Sequence, residues 1–467
     1  MASRTGPYVL IRNLLLVALL TVVTKAGRVY NFSALGGVAG DMSESVAFKN
    51  GALLNSTLQR LQQNDTLVFP NLTFFMMGGI VARDLDGVTI SFDGTIVFSN
   101  NQDSWPRSGP GKKAHVLDCM HFYNCNNMVF TSAGKGLIDG QGSGWWGIPG
   151  IGYLEVGENR PRLFNMEGGR HNLVENIILK NSPYWVSKGI LISKEYNINC
   201  NASNIFFTFC QTFWAHGVSY LEVRNVDISA RRTDHDGHDI IDLSAFNTDG
   251  FDVTGDYVWI HDCTVWNQDD CVCAKDGSTN MLFERINASG VGLTIGSIGG
   301  STNKNITFRD IYMHNTYKGI YMKFRDMDNG GTVEDVLYEN IVIDNPEQWP
   351  IWIGPAQQSD SSNLCAAHPC SLCWPKLPSK WAPCYSASGR YINITLRNIT
   401  VNNAKKNPGV LFGNSSTPME NLVFENVVFN NPAKGKEQYF KCAGVGNAVA
   451  TGNTNPVPSC FKDLTQG

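Results

Sequence analysis

The chain has 467 residues, a formal net charge of −4 and only 17% charged residues. Nucleic acid and anionic membrane surfaces require clustered Lys and Arg, and this balance excludes both as partners. An aromatic content of 11%, with 46 glycines and 19 prolines, suits a chain of many turns whose ligand is a weakly charged polymer such as a polysaccharide.

In chain order, Arg4 and Arg12 precede an apolar run at 14–23, and small residues follow at Ala26 and Gly27. This pattern predicts a secretory signal peptide over 1–26. About ten apolar residues are too few to cross a bilayer, which takes roughly twenty. The mature chain, 27–467, is expected to be one secreted, extracellular domain with no membrane attachment. Sequons at Asn31, Asn55, Asn64, Asn71, Asn201, Asn287, Asn305, Asn393, Asn398 and Asn414 agree with export, although an Asn-rich chain need not use them all. The 13 cysteines include the close sets Cys119/Cys125, Cys200/Cys210, Cys365/Cys370/Cys373/Cys384 and Cys442/Cys460. In an exported chain these read as loop-stapling disulfides, with at least one thiol left over. A zinc site at 365–384 fits less well with an oxidising compartment and the intervening Pro and Trp.

A helical cap is expected around 43–61. An internal repeat follows: NLVENIILKN (172–181), YLEVRNVDISA (220–230), YVWIHDCTVWN (257–267), NMLFERINAS (280–289), NITFRDIYMHN (305–315), DVLYENIVIDN (335–345), NITLRNITVNN (393–403) and NLVFENVVFNN (421–431). Each unit is an alternating strand, a polar Asn, Asp or Arg, and a second alternating strand. Alternation puts one face in and one out, and the polar residue marks a bend. A repeat at this spacing without amphipathic helices between the units predicts an all-β fold, a single-stranded right-handed parallel β-helix with terminal caps. Strands of successive coils lie about 4.8 Å apart, and the Asn positions should form ladders. One long interval, 346–390, holds Trp349, Trp352, Trp374, Trp381 and four cysteines. It predicts a disulfide-tied loop beside the solenoid. Its tryptophans either wall a cleft or pack the loop down, and both readings stay open. The segment after Pro432 should cap the far end.

Three segments fall one coil apart. NTDGFD carries Asp249, NQDDC carries Asp269 and Asp270, and GVGLTIG carries Val291. Stacked on one face, the acidic segments meet in space. Carboxylates so placed raise each other's pKa, a cost that points to function. Glycoside hydrolysis needs a protonated acid at the leaving oxygen and a carboxylate that activates water. A calcium site or a solvated acidic ladder is the alternative. The loop 233–239 with Asp242 is polar and could hold a metal, but a polar loop bordering the cleft fits it better. Trp259 is expected in a core strand.

These motifs carry a resemblance. With Gly136-Leu-Ile-Asp-Gly-Gln-Gly, Trp145, Trp146, Arg162-Leu-Phe and Asn181-Ser-Pro-Tyr-Trp, the chain resembles glycoside hydrolase family 28, the polygalacturonases and their relatives, from about residue 30 to 430. The resemblance implies a secreted inverting hydrolase of pectic polysaccharide, monomeric, with no metal or cofactor. It implies Asp269 as general acid and Asp249 and Asp270 as the pair that holds and activates water. Two departures stand out. The family's Gly-His-Gly is Gly290-Val291-Gly292 here, and its Arg-Ile-Lys is Tyr321-Met322-Lys323. A phenol cannot offer a guanidinium's bidentate fork. Val291, Tyr321 and Lys323 are therefore expected at the subsites flanking the scissile bond, favouring a backbone that alternates acidic and neutral sugars, such as rhamnogalacturonan. A calcium-dependent pectate lyase and a non-catalytic carbohydrate-binding β-helix are the alternatives. The Cys that usually precedes Gly-His-Gly is also absent, leaving Cys271 to find another partner or stay free.

Overall fold

The computed structural model describes residues 26–465 apart from 113, 149–158, 184–210, 240, 326–329, 359–364, 367–368 and 436–437. The expected signal peptide, the Cys200/Cys210 pair and the Asn201 sequon fall outside the described residues.

The alternation in the sequence becomes coils. The first coil comprises Thr66–Phe69, Thr73–Met76 and Ile80–Arg83. Each pairs in parallel with its counterpart one coil on: Thr89–Phe92, Thr95–Phe98 and Met120–Tyr123. Repetition of this pairing builds three sheets around one core, the parallel β-helix the repeat predicts. Leu67 and Phe69 point in while Thr66 and Val68 are half-exposed, as a period of two requires. Inside, Phe164 stacks on Phe213 at 5.4 Å, and Phe213 meets Phe251 edge-to-face at 5.6 Å between ring centres.

The bends are more continuous than the sequence suggests. The sequence pattern predicts two strands in each repeat. Instead the later coils run one long strand through the bend, as in Thr332–Asp344 and Met419–Asn430. The polar bend residues take left-handed φ values of 51–58° at Asn176, Asn225, Asp262, Arg285, Asp310, Asn340, Asn398 and Asn426. Asn and Asp tolerate this conformation better than most residues. The side chains then bond up the stack: Asn340 donates to Asp310 at 2.9 Å, Asn398 to Asn340 at 3.0 Å and Asn426 to Asn398 at 3.1 Å.

Both ends are capped. The helix Glu44–Leu58 buries Ala47, Asn50, Gly51, Leu54 and Leu58, a spacing of three and four that lays one face on the first coil. At the far end Cys442 bonds Cys460. Within the Cys-rich stretch Cys365 bonds Cys373 and Cys370 bonds Cys384. That insertion is shorter than 346–390, because Ile351–Pro355 belongs to the third sheet. Cys119 and Cys125 are not bonded but are buried free thiols. The strand Met120–Tyr123 lies between them, and an extended strand carries its ends beyond the roughly 7 Å between Cα atoms that a disulfide spans. Cys271 is likewise free and buried. Trp259 is not in the core. It is 38% exposed and stacks on His261 at 3.9 Å, because its register places it on the outer face of the strand.

Candidate active site

The site forms on the outer face of the third sheet, where consecutive coils bring distant acids together. Phe251 pairs with Val272. Asp249 precedes the first by two residues and Asp270 precedes the second by two, so both carboxylates stand at the same edge of the sheet. Asp269 lies in the turn just before. One oxygen from each of the three lies within 4.8 Å of the other two, and among the described residues this is the only such acidic grouping with metal-ligand spacing. Gly290 lets the next coil approach: a Cβ there would meet Asn267 Oδ1 at 2.3 Å and the Asp269 carbonyl oxygen at 2.7 Å.

Two lysines and three polar groups hold the acids. Lys275 Nζ lies 2.7 Å from Asp252, 3.5 Å from Asp249 and 3.8 Å from Asp270. Lys323 Nζ lies 2.8 Å from Asp270 Oδ2, and the Thr294 hydroxyl donates to Asp270 Oδ1 at 2.7 Å. Asn247 Nδ2 donates to Asp269 Oδ2 at 2.7 Å, and the Asp270 backbone N–H to Asp269 Oδ1 at 2.9 Å.

This uneven distribution of cations separates the acids. Burial and the neighbouring Asp270 charge push the Asp269 carboxyl up to about 6, against the pull of Lys323 and Lys275. Burial also acts to raise Asp270, but Lys323, Lys275 and the Thr294 hydrogen bond outweigh it and hold Asp270 below the usual carboxylate range. Burial, with the charges of Asp269 and Asp252, raises Asp249 well above that range. Asp252 is pushed by burial to about 7, with Lys275 opposing, and shares a hydrogen bond with Asp249. Neighbouring carboxyls driven apart in this way are suited to donating and accepting protons.

Of the remaining expected site residues, Lys323 lies in the site. Val291 and Tyr321 lie beside it but retain only 8% and 3% exposure. They belong to an outward apolar cluster with Trp349, Trp352, Cys370 and Val410. The Tyr321 hydroxyl accepts the Gln357 backbone N–H at 2.9 Å, so the start of the insertion anchors the ring. Trp374 packs on Trp349, Trp352 and Phe412 at 5.6–5.9 Å, which favours packing over a cleft wall for these three tryptophans. Trp381 is 61% exposed. In the loop 233–239, His238 contacts Gln268 Oε1 and Ser289 Oγ, each at 2.9 Å, and Asp242 accepts the Arg232 and Thr233 backbone N–H groups. These internal bonds fit a polar loop beside the acid segment.

Sequence reasoning missed Asn247, Asp252, Lys275 and Thr294 as site residues. Asn247 and Asp252 lie inside the NTDGFD motif, and Thr294 lies inside GVGLTIG. Lys275 carries a weaker signal: counted by twos from Cys273 it is an outward position just past the buried strand Asp270–Ala274, where a buried ammonium needs acidic partners.

The family model "Glycosyl hydrolases family 28" matches residues 65–372. Endopolygalacturonase I of Aspergillus aculeatus is 29% identical over 263 residues, which is 55% of this chain and 56% of that protein. An exopolygalacturonase of Cochliobolus carbonum is 25% identical over 343 residues, 69% of this chain and 68% of its own length. The chain thus spans only about half of the first of these relatives. In fold, an endo-xylogalacturonan hydrolase from Aspergillus tubingensis aligns with a TM-score of 0.59 at 18% identity, over 91% of this chain and 100% of that one. A polygalacturonase from Erwinia carotovora aligns with a TM-score of 0.60 at 17% identity, over 91% and 97%. With the family model spanning most of the coils and its acidic motifs on adjoining ones, the chain belongs to glycosyl hydrolases family 28.

Proposed function

We propose that this protein is a secreted hydrolase that cleaves glycosidic bonds of pectic polysaccharide with inversion, using Asp269 as general acid and Asp270 as the base that activates water. The observation that carries the reading is the difference between these adjacent carboxyls: Asp269 is raised to about 6, while Asp270 is kept ionised by Lys323 and Lys275. One group can hold a proton while the other accepts one, as acid–base hydrolysis requires. Asp249, pushed toward its neutral form, orients the water by hydrogen bonding and does not take its proton. The oxygens are closer than the roughly 6.5–9.5 Å common between carboxyls that bracket sugar and water. Inversion is therefore taken from the likeness to family 28 and not from this spacing. It requires water to attack opposite the leaving oxygen that Asp269 protonates, and the configuration of the first product tests it.

The substrate follows from the cations and the apolar cluster. Lys323 offers a carboxylate a point charge, not a fork, and Val291, at 8% exposure, borders it with apolar surface. A backbone alternating uronate and neutral sugar, such as rhamnogalacturonan, meets both conditions. The test is product analysis on polygalacturonate, rhamnogalacturonan and xylogalacturonan, with anomeric configuration followed by NMR in the first minutes. Release of reducing ends with inverted configuration, fastest on rhamnogalacturonan, is expected. An unsaturated product absorbing in the ultraviolet, a retained anomer, or no cleavage of any pectin overturns the reading.

A further inference from the structure

We infer that Lys318 is a specificity residue that binds the carboxylate of a uronate unit next to the scissile bond. The inference rests on the pectic reading of the Asp269–Asp270 site and adds the residue that recognises the acidic sugar.

Three lysines lie close to the acid cluster, and they differ. Lys275 and Lys323 each have an aspartate oxygen within 2.7–2.8 Å. Lys318 is 5% exposed, yet among the described residues no carboxylate lies within ion-pair distance of it. Its Nζ donates to the neutral Gln348 Oε1 at 2.7 Å. The same nitrogen lies 4.8 Å from the centre of the Tyr321 ring and 5.7 Å from that of Trp352. An amide and two aromatic rings orient an ammonium but do not neutralise it. A buried cation without a counter-charge is costly, and a site that keeps one is prepared for an anion brought by a ligand.

Its place in the fold indicates which anion. Lys323 Nζ lies 4.4 Å from the centre of the same Tyr321 ring and 2.8 Å from Asp270. Lys318 is thus one aromatic ring away from the lysine that charges the proposed base. The Lys318 backbone N–H donates to the Val291 carbonyl at 2.8 Å, which ties its position to the coil that follows Asp269 and Asp270. The Tyr321 ring is held at its far end by the Gln357 N–H and cannot swing away to admit another cation. An anion between these groups is carried by a sugar in register with the catalytic acids, and the carboxylate of a hexuronate is the charge such a polymer supplies. Burial and the Lys323 charge press the Lys318 pKa down to about 7, against the pull of the more distant Asp270 and Asp269, so an arriving carboxylate also completes its protonation. Val291, at 8% exposure, borders this position with apolar surface for the sugar's C–H groups.

The test is calorimetric titration of the full chain with trigalacturonate and with the same trisaccharide after reduction of its carboxyls. Wild type should bind the charged form at least tenfold more tightly. Lys318→Met should lose that preference, with Kd for trigalacturonate rising ten- to a hundredfold and Kd for the reduced sugar within about threefold of wild type. Lys318→Arg should restore most of the preference. Lys318→Gln serves as a second neutral variant if the methionine disturbs the fold, and circular dichroism checks both. An unchanged Kd for trigalacturonate in a folded neutral variant overturns the inference, as does failure of wild type to prefer the charged sugar. Charge-dependent binding lost with Lys318, in a wild type that cleaves no pectin, would support the inference and sink the hydrolase reading alone.

Discussion

Lys323 and Asp270 meet at 2.8 Å across a sequence separation of 53, and this contact, with Lys275 and Thr294, holds Asp270 below the ordinary carboxylate range while the adjacent Asp269 is raised to about 6. Without it, Asp269 and Asp270 would share a similar buried environment and raise each other's pKa alike.

Asp269→Asn should reduce kcat on the preferred pectin on the order of a thousandfold, because an amide cannot donate the acid proton. The fold should survive. Both Asp269 oxygens accept N–H donors, and the amide forfeits one of these bonds, costing about 1 kcal/mol of stability. Retention of a tenth of wild-type turnover would refute Asp269 as the acid. Asp270→Asn should be similarly damaging, and the double variant not much worse than either single one, since the residues act as a unit.

The pH dependence has a definite sign. Activity needs Asp269 protonated, so kcat/KM should fall as pH rises through about 6. It needs Asp270 ionised, so the acid limb should lie below the ordinary carboxylate value of 3.8. For the raised groups stability moves in the same direction. Asp269 and Asp252 have folded pKa values above their unfolded ones, near 6 and 7. Their contribution is fully present below the unfolded value and is lost as pH rises through that window. Asp270, depressed, contributes above its unfolded pKa and loses its contribution as pH falls further. Thermal melts should therefore show a decline in these groups' contribution between about pH 4 and 7. A kcat/KM profile that climbs from pH 6 to 8 would contradict the proton assignment.

Lys275→Met leaves Asp252, Asp249 and Asp270 without their shared ammonium. Breaking a buried charge network from one side costs about 3–5 kcal/mol, so a large drop in melting temperature is expected. Adding Asp252→Asn to Lys275→Met should recover part of the loss, because the two share one contact. A lysine variant as stable as wild type would show that the ammonium is not the acids' counter-charge.

Hydrolysis should persist in excess chelator. Lys275 and Lys323 Nζ already stand beside the trio, where a divalent cation would have to displace or repel them. Activity abolished by EDTA and restored by calcium would favour the lyase alternative.

Tyr321→Arg should not create a better carboxylate clamp. The centre of the phenol ring lies 4.8 Å from Lys318 Nζ and 4.4 Å from Lys323 Nζ, and the residue is 3% exposed. A guanidinium there adds a third buried cation and forfeits the bond from Gln357. The expected outcome is a loss of roughly 2–4 kcal/mol in stability and weaker binding of trigalacturonate. Tighter binding by the Arg variant would show the subsite to be more open than the packing implies.

Much of this protein is local physics that a sequence shows directly. Period-two alternation and a polar bend residue in each unit determine the coil, because a strand with one apolar face must bury it and Asn or Asp can adopt the left-handed φ at the corner. Spacing by one coil is enough to bring Asp249, Asp269 and Asp270 together, since in a solenoid neighbours in space are neighbours in the repeat. The protonation states were decided only by the tertiary structure. They depend on where Lys275 and Lys323 place their ammonium groups, and burial and charge–charge distance leave no trace in residue spacing. The same holds for Tyr321, exposed to substrate by the repeat's arithmetic yet sealed by the insertion, and for Lys318, an ordinary lysine in sequence that becomes a buried amine with no ion-pair partner among the described residues once Val291, Trp352 and Gln348 close around it.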